Sequence, residues 1–78
     1  MFNLIVAQVD KTYFDGMATS LTCPCVSGEV TILAHHAPLV AVLKKGVLRI
    51  RDEEGTEITV PIESGVLEVG LNQATVLL

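Results

Sequence analysis

The residues best equipped for chemistry in this chain are the adjacent histidines His35 and His36, followed by two cysteines, Cys23 and Cys25, on either side of Pro24. Neighbouring histidines can ligate a metal or act as a general base. In extended backbone, however, adjacent side chains point to opposite faces, so these two rings would not converge on one ion. Glu29 is the only carboxylate between Asp15 and Asp52, which leaves a histidine base without an acidic partner nearby. The pair therefore reads as structural or interfacial. A small hydrolase would have to work through His36.

Cys23 and Cys25 lie two apart, so in a strand both face the same way, together with Leu21. That spacing holds their Cβ atoms well beyond the ~3.8 Å that a disulfide requires. Reduced thiols packed as small hydrophobes fit better. A two-thiolate metal site would need further ligands, and a stand-alone metal- or ligand-binding domain using Cys23, Cys25 and His36 stands as the alternative reading. The six glycines are dispersed singly, and none heads a helix as a phosphate-binding loop would. Ser20, Ser27 and Ser64 have no context that would activate a nucleophile. Lys44-Lys45 and Asp52-Glu53-Glu54 read as solvated turns.

The elements that position these residues follow a period of two. In Glu57–Glu63, Ile58, Val60 and Ile62 fall on one side and Glu57, Thr59 and Glu63 on the other, as in a half-buried strand. Pro61 cannot donate to a ladder and predicts an edge or a bulge. Leu48 and Ile50 alternate with Arg49 and Arg51. Asp52-Glu53-Glu54-Gly55 supplies a turn, so the spacing predicts a hairpin of Val47–Arg51 with Thr56–Ile62. Inward pairs recur at Leu4 and Val6, Val30 and Ile32, Leu67 and Val69, and Val76 and Leu78. Breaks are expected at Asp10–Thr12, Asp15-Gly16, Ser27-Gly28, Lys45-Gly46, Ser64-Gly65 and Gly70–Gln73. No stretch sustains a helical stripe. Short strands of this kind must pair as two packed sheets or a flattened barrel.

Seventy-eight residues suffice for one small domain, expected to span positions 1–78. A core of this size leaves the free domain marginally stable, and partners that bind only the folded form add to it. A net charge of −4 is opposite in sign to the footprint of a nucleic-acid binder. The longest apolar run, Leu39 to Leu43, is too short to span a bilayer, and the N-terminus has no basic segment leading a hydrophobic one. A soluble, cytosol-facing chain is expected.

From Gly28 onward the order of residues resembles a known family. Gly28-Glu29-Val30-Thr31-Ile32-Leu33 followed by His35-His36-Ala37-Pro38-Leu39, then Leu43-Lys44-Lys45-Gly46-Val47-Leu48-Arg49-Ile50, then Ser64-Gly65-Val66-Leu67-Glu68-Val69 and Asn72-Gln73-Ala74-Thr75-Val76-Leu77, is similar to the N-terminal domain of F-type ATP synthase epsilon subunits. Phe14-Asp15-Gly16 fits the same pattern. His35 departs from the family's usual glycine or asparagine, Lys45 from a common proline, and Cys23-Pro24-Cys25 from any family pattern. The resemblance implies an all-β, ten-stranded β-sandwich or flattened barrel. It implies a non-catalytic rotor-stalk role without cofactor, peripheral on the cytoplasmic face of the inner (plasma) membrane, with the gamma subunit and the membrane c-ring as partners. Carried over by position, Gln8, His36 and Ala41 face gamma and Glu29 faces the c-ring, and exposed apolar positions such as Ile5, Val42 and Val66 are expected to contribute to the interface. The family's C-terminal helical hairpin, which inhibits hydrolysis and in some bacteria binds ATP, is expected to be missing, so no nucleotide binding is expected of positions 1–78.

Overall fold

The computed structural model describes residues 1–78. Its elements are strands throughout: β1 (Phe2–Gln8), β2 (Lys11–Cys25), β3 (Gly28–Leu33), β4 (Leu39–Leu43), β5 (Gly46–Asp52), β6 (Glu57–Ile62), β7 (Gly65–Gly70) and β8 (Gln73–Leu77). The period-two pattern is the cause. Along β1, Phe2, Leu4 and Val6 are buried while Asn3 and Ile5 are exposed. Along β5, Leu48 and Ile50 are buried between exposed Val47, Arg49 and Arg51.

Eight strands are present where ten were expected, and the main reason is β2. A turn was expected at Asp15-Gly16, yet Asp15 pairs with Ile5 and Gly16 with Leu4, so the chain stays in register with β1 through that dipeptide. The result is one strand of 15 residues. A strand that long can serve both layers only by bending, and its ladders carry two irregularities, one opposite Val6/Ala7 and one at Ala18/Ser20. Such bulges increase local twist and let a strand leave one sheet for another. At the second, the Thr19 hydroxyl donates to the carbonyls of Arg51 (3.2 Å) and Asp52 (3.4 Å).

The first half of β2 belongs with β1, β8, β7 and β4. β1 runs parallel to β8, β8 antiparallel to β7 and β7 antiparallel to β4. β4 returns to the end of β2 through Cys25 and Leu43, so this layer closes on β2. The second half of β2 pairs with β3 and β5, and β5 with β6. Pro24 sits where β2 changes partner from β5 to β4: the β5 ladder ends at Thr22 and Arg49, and the Pro24 carbonyl accepts the Lys44 N–H at 2.9 Å. A missing donor disrupts little at such a junction. Pro61 lies on β6, the end of the strand order, as expected of a proline in a sheet.

The inner faces of both layers meet in one cluster of 17 buried residues, all hydrophobic. Cys23 and Cys25 are among them as free thiols, with no exposed surface. The expected hairpin forms as β5–β6. Its tip is held by Asp52, whose Oδ1 accepts the N–H groups of Glu54 and Thr56, each at 2.9 Å, while Gly55 takes φ +85°.

Candidate functional site

The outward positions of the two layers differ in kind. On the β1, β8, β7, β4 layer, the pairing register aligns Val42, Val66, Leu77 and Ala7 in one row across the strands. The next row holds Val40, Glu68, Thr75 and Ile5. Five large aliphatic side chains in these two rows are exposed: Ile5, Val40, Val42, Val66 and Leu77, with Val40 the most open at 73%. On the β3, β2, β5, β6 layer the corresponding rows are mainly polar, with Leu33 and Val47 as single exposed aliphatics. Thr31, Thr22, Arg49 and Thr59 share one, and the Thr22 and Thr31 hydroxyls are hydrogen-bonded at 3.1 Å. Leu33, Ser20, Arg51 and Glu57 share another, with Arg51 and Glu57 forming an ion pair at 3.7 Å. Scattered surface aliphatics are ordinary, whereas a contiguous apolar sheet face marks a surface meant to be covered.

The residues singled out from sequence are not brought together. Gln8 ends β1 and Glu29 is the second residue of β3, and the register links them to one end of the molecule through Ala7, Leu77, Val66, the Gly65–Leu43 pair, Cys25 and Gly28. Gln8 accepts a hydrogen bond from the Tyr13 hydroxyl at 3.3 Å, and the Lys11 ammonium lies 4.7 Å from the Tyr13 ring centroid. Both Gln8 and Tyr13 line an open cleft of about 290 Å³ with Pro61, Ile62, Glu63, Ser64 and Leu78. No histidine or cysteine reaches it. His36 is half-buried in the β3–β4 connection at the opposite end. Its N–H donates to the Leu33 carbonyl at 3.2 Å, and Nδ1 lies 2.7 Å from the Ala37 carbonyl. Beside it His35 takes φ +66°, a conformation that glycine adopts freely. Ala41 is turned inward, opposite Leu67, and packs against the core, so that Val40 and Val42 rather than Ala41 carry β4's outer surface.

The alternative built on Cys23, Cys25 and His36 finds no support in this geometry. Burial pushes the Cys23 thiol up to about 12, with the neighbouring Cys25 adding to it, and burial raises Cys25 as well. Both are held as neutral thiols, the wrong form for a metal ligand or nucleophile. No group of three histidine, cysteine or acidic side chains converges anywhere in the chain. No helix is long and apolar enough to cross a membrane.

Sequence reasoning named Ile5, Val42 and Val66 as apolar positions suited to an interface. Val40, Leu77 and Glu68 were missed, because only the register places them on the same face.

Comparison with known proteins gives one answer. The family described as "ATP synthase, Delta/Epsilon chain, beta-sandwich domain" matches residues 1–78. The chain is similar to the ATP synthase epsilon chain of Gloeobacter violaceus, 40% identical over 72 residues, covering 92% of this chain and 54% of that one. It is 42% identical over 72 residues to that of Acinetobacter baylyi, covering 92% and 52%. The chain thus spans about half the length of the curated relatives it matches. Among solved structures, the Euglena gracilis mitochondrial ATP synthase (OSCP/F1/c-ring) contains a chain of the same fold, with TM-score 0.90, 22% identity, and 97% of this chain and 49% of that one covered. The central stalk/c-ring of the Tetrahymena thermophila mitochondrial enzyme contains another, at TM-score 0.80 and 19% identity, covering 96% and 60%.

Proposed function

The chain belongs to the delta/epsilon beta-sandwich family of ATP synthase, and from that premise we propose that it is a non-catalytic central-stalk domain. In this reading it links the gamma subunit to the membrane c-ring and couples proton translocation to ATP synthesis. The observation that carries the proposal is the contrast between faces. Ile5, Val40, Val42, Val66 and Leu77 form an apolar patch on one layer, whereas on the other layer threonine, arginine and glutamate separate the exposed aliphatics Leu33 and Val47 from each other. Gamma is assigned to the apolar face. Gln8 and His36 stand at opposite ends of the molecule beside it, and Ala41 lies beneath it between Val40 and Val42. The end that carries Glu29 is assigned to the c-ring.

The geometry suits such work. Forty-seven backbone hydrogen bonds in 78 residues and a layer closed on β2 make a stiff body, able to pass torque without deforming. The proposal gives the chain no reaction of its own and no cofactor, and it places the domain peripherally on the cytoplasmic face of the inner (plasma) membrane.

Titration calorimetry with the gamma subunit of the same organism tests it. Val66→Asp and Val42→Asp should each weaken binding by about a hundredfold, the scale of a residue central to an interface. Arg49→Glu on the opposite layer should stay within about twofold of the parent, as expected away from the contact. No binding of the parent chain at micromolar concentration would sink the proposal.

A further inference from the structure

Resting on the docking assignment above, we infer that Glu68 determines the specificity of the apolar face, and that gamma seats a lysine or arginine against it. The outward positions of the four strands are Asn3, Ile5 and Ala7 on β1, Val40 and Val42 on β4, Val66, Glu68 and Gly70 on β7, and Gln73, Thr75 and Leu77 on β8. Glu68 is the only charged residue among them. Across the strands it faces Val40 and Thr75, and along β7 it lies between Val66 and Gly70. Asp15 on β2 extends the same row beyond Ile5, which adds a second negative charge and no positive one. The single ion pair of the molecule, Arg51 with Glu57, is on the other layer.

An exposed carboxylate in this position is solvated while the face is open. Covering the face removes that water, and a carboxylate buried without a counter-charge carries a heavy desolvation cost. A purely apolar partner is thereby penalised, whereas one bearing a cation in register is favoured. Selection against wrong partners by a charge left unpaired is a general device. The surroundings also indicate how the cation arrives. Val40, Val66 and Thr75 wall three sides of Glu68, and Gly70 leaves the fourth low, since a Cβ there would touch only the Gln73 side chain, at 3.7 Å. A long basic side chain reaches the carboxylate over Gly70.

Binding to the gamma subunit of the same organism at about 50 mM and about 500 mM salt is the test. Glu68→Gln should weaken binding about thirtyfold and flatten its salt dependence, as removal of one member of a covered charge pair does. Glu68→Lys should weaken it further, and one Lys→Glu or Arg→Glu variant in a charge-reversal scan of gamma should restore binding to Glu68→Lys. Glu68 is exposed and makes no side-chain hydrogen bond, so its variants should melt with the parent. If both variants bind as the parent does while Val66→Asp fails, the inference about Glu68 is overturned and the docking face stands. If Val66→Asp also binds normally, the docking assignment itself falls. Weakening by Glu68→Lys that no reversal in gamma relieves would overturn the partner cation.

Discussion

Cys23 and Cys25 have no exposed surface, and their spacing was enough to place both in the core. Their burial has a consequence in alkaline solution. Cys23 titrates at about 12 in the folded chain, against an ordinary value of 9.0, chiefly because burial disfavours the thiolate. The unfolded chain therefore releases this proton first. Stability from the neutral thiol is fully present below pH 9 and is lost as the pH climbs through the window between 9 and 12. Denaturant unfolding above pH 9 should show the parent losing stability more steeply than Cys23→Ala, by about 1.4 kcal/mol per pH unit. At neutral pH that variant should already be about 1–2 kcal/mol less stable, from lost packing. Equal alkaline slopes would show that the thiol ionises freely in the folded chain. Single residues were legible wherever side-chain alternation alone fixed their face, as with these cysteines, Pro61, Leu48 and Ile50. Ala41 was not: its inward side depends on its alignment with Leu67 on β7, which sequence does not display.

At the level of elements, most strand boundaries could be read because turns are marked by glycine, aspartate, serine and asparagine. Asp15-Gly16 carried the same mark and does not turn, since β1 holds both residues in its ladder. Tertiary pairing overrides a local turn preference of that size. Gly65 is the opposite case, a marked break whose glycine is required by packing. A Cβ there would lie 2.7 Å from the Leu77 carbonyl oxygen and 2.9 Å from the Leu78 side chain. The oxygen belongs to the backbone of β8 and cannot swing aside. Gly65→Ala should thus destabilise the domain by about 1–3 kcal/mol, measured as a drop in the urea midpoint. An unchanged midpoint would mean that the β7–β8 pair is looser than described.

The whole molecule is two layers with one shared core and two unlike outer surfaces. The sandwich itself was apparent from alternation, since every strand has one apolar side. The docking face was only partly apparent: Ile5, Val42 and Val66 were recognisable as outward aliphatics, but their union with Val40, Leu77 and Glu68 needed the order β4, β7, β8, β1 and its register. An interface built across strands distant in sequence is invisible to any single stretch of the chain. The central claim is that gamma covers this surface and leaves the opposite one open. Because Cys23 and Cys25 are buried, a single cysteine introduced on either surface can be labelled with maleimide against a silent background. Labelling of Val66→Cys should slow at least about tenfold when gamma is added, as a contact that excludes water demands, while Arg49→Cys keeps its rate; protection of Arg49→Cys with Val66→Cys still reactive would contradict the account.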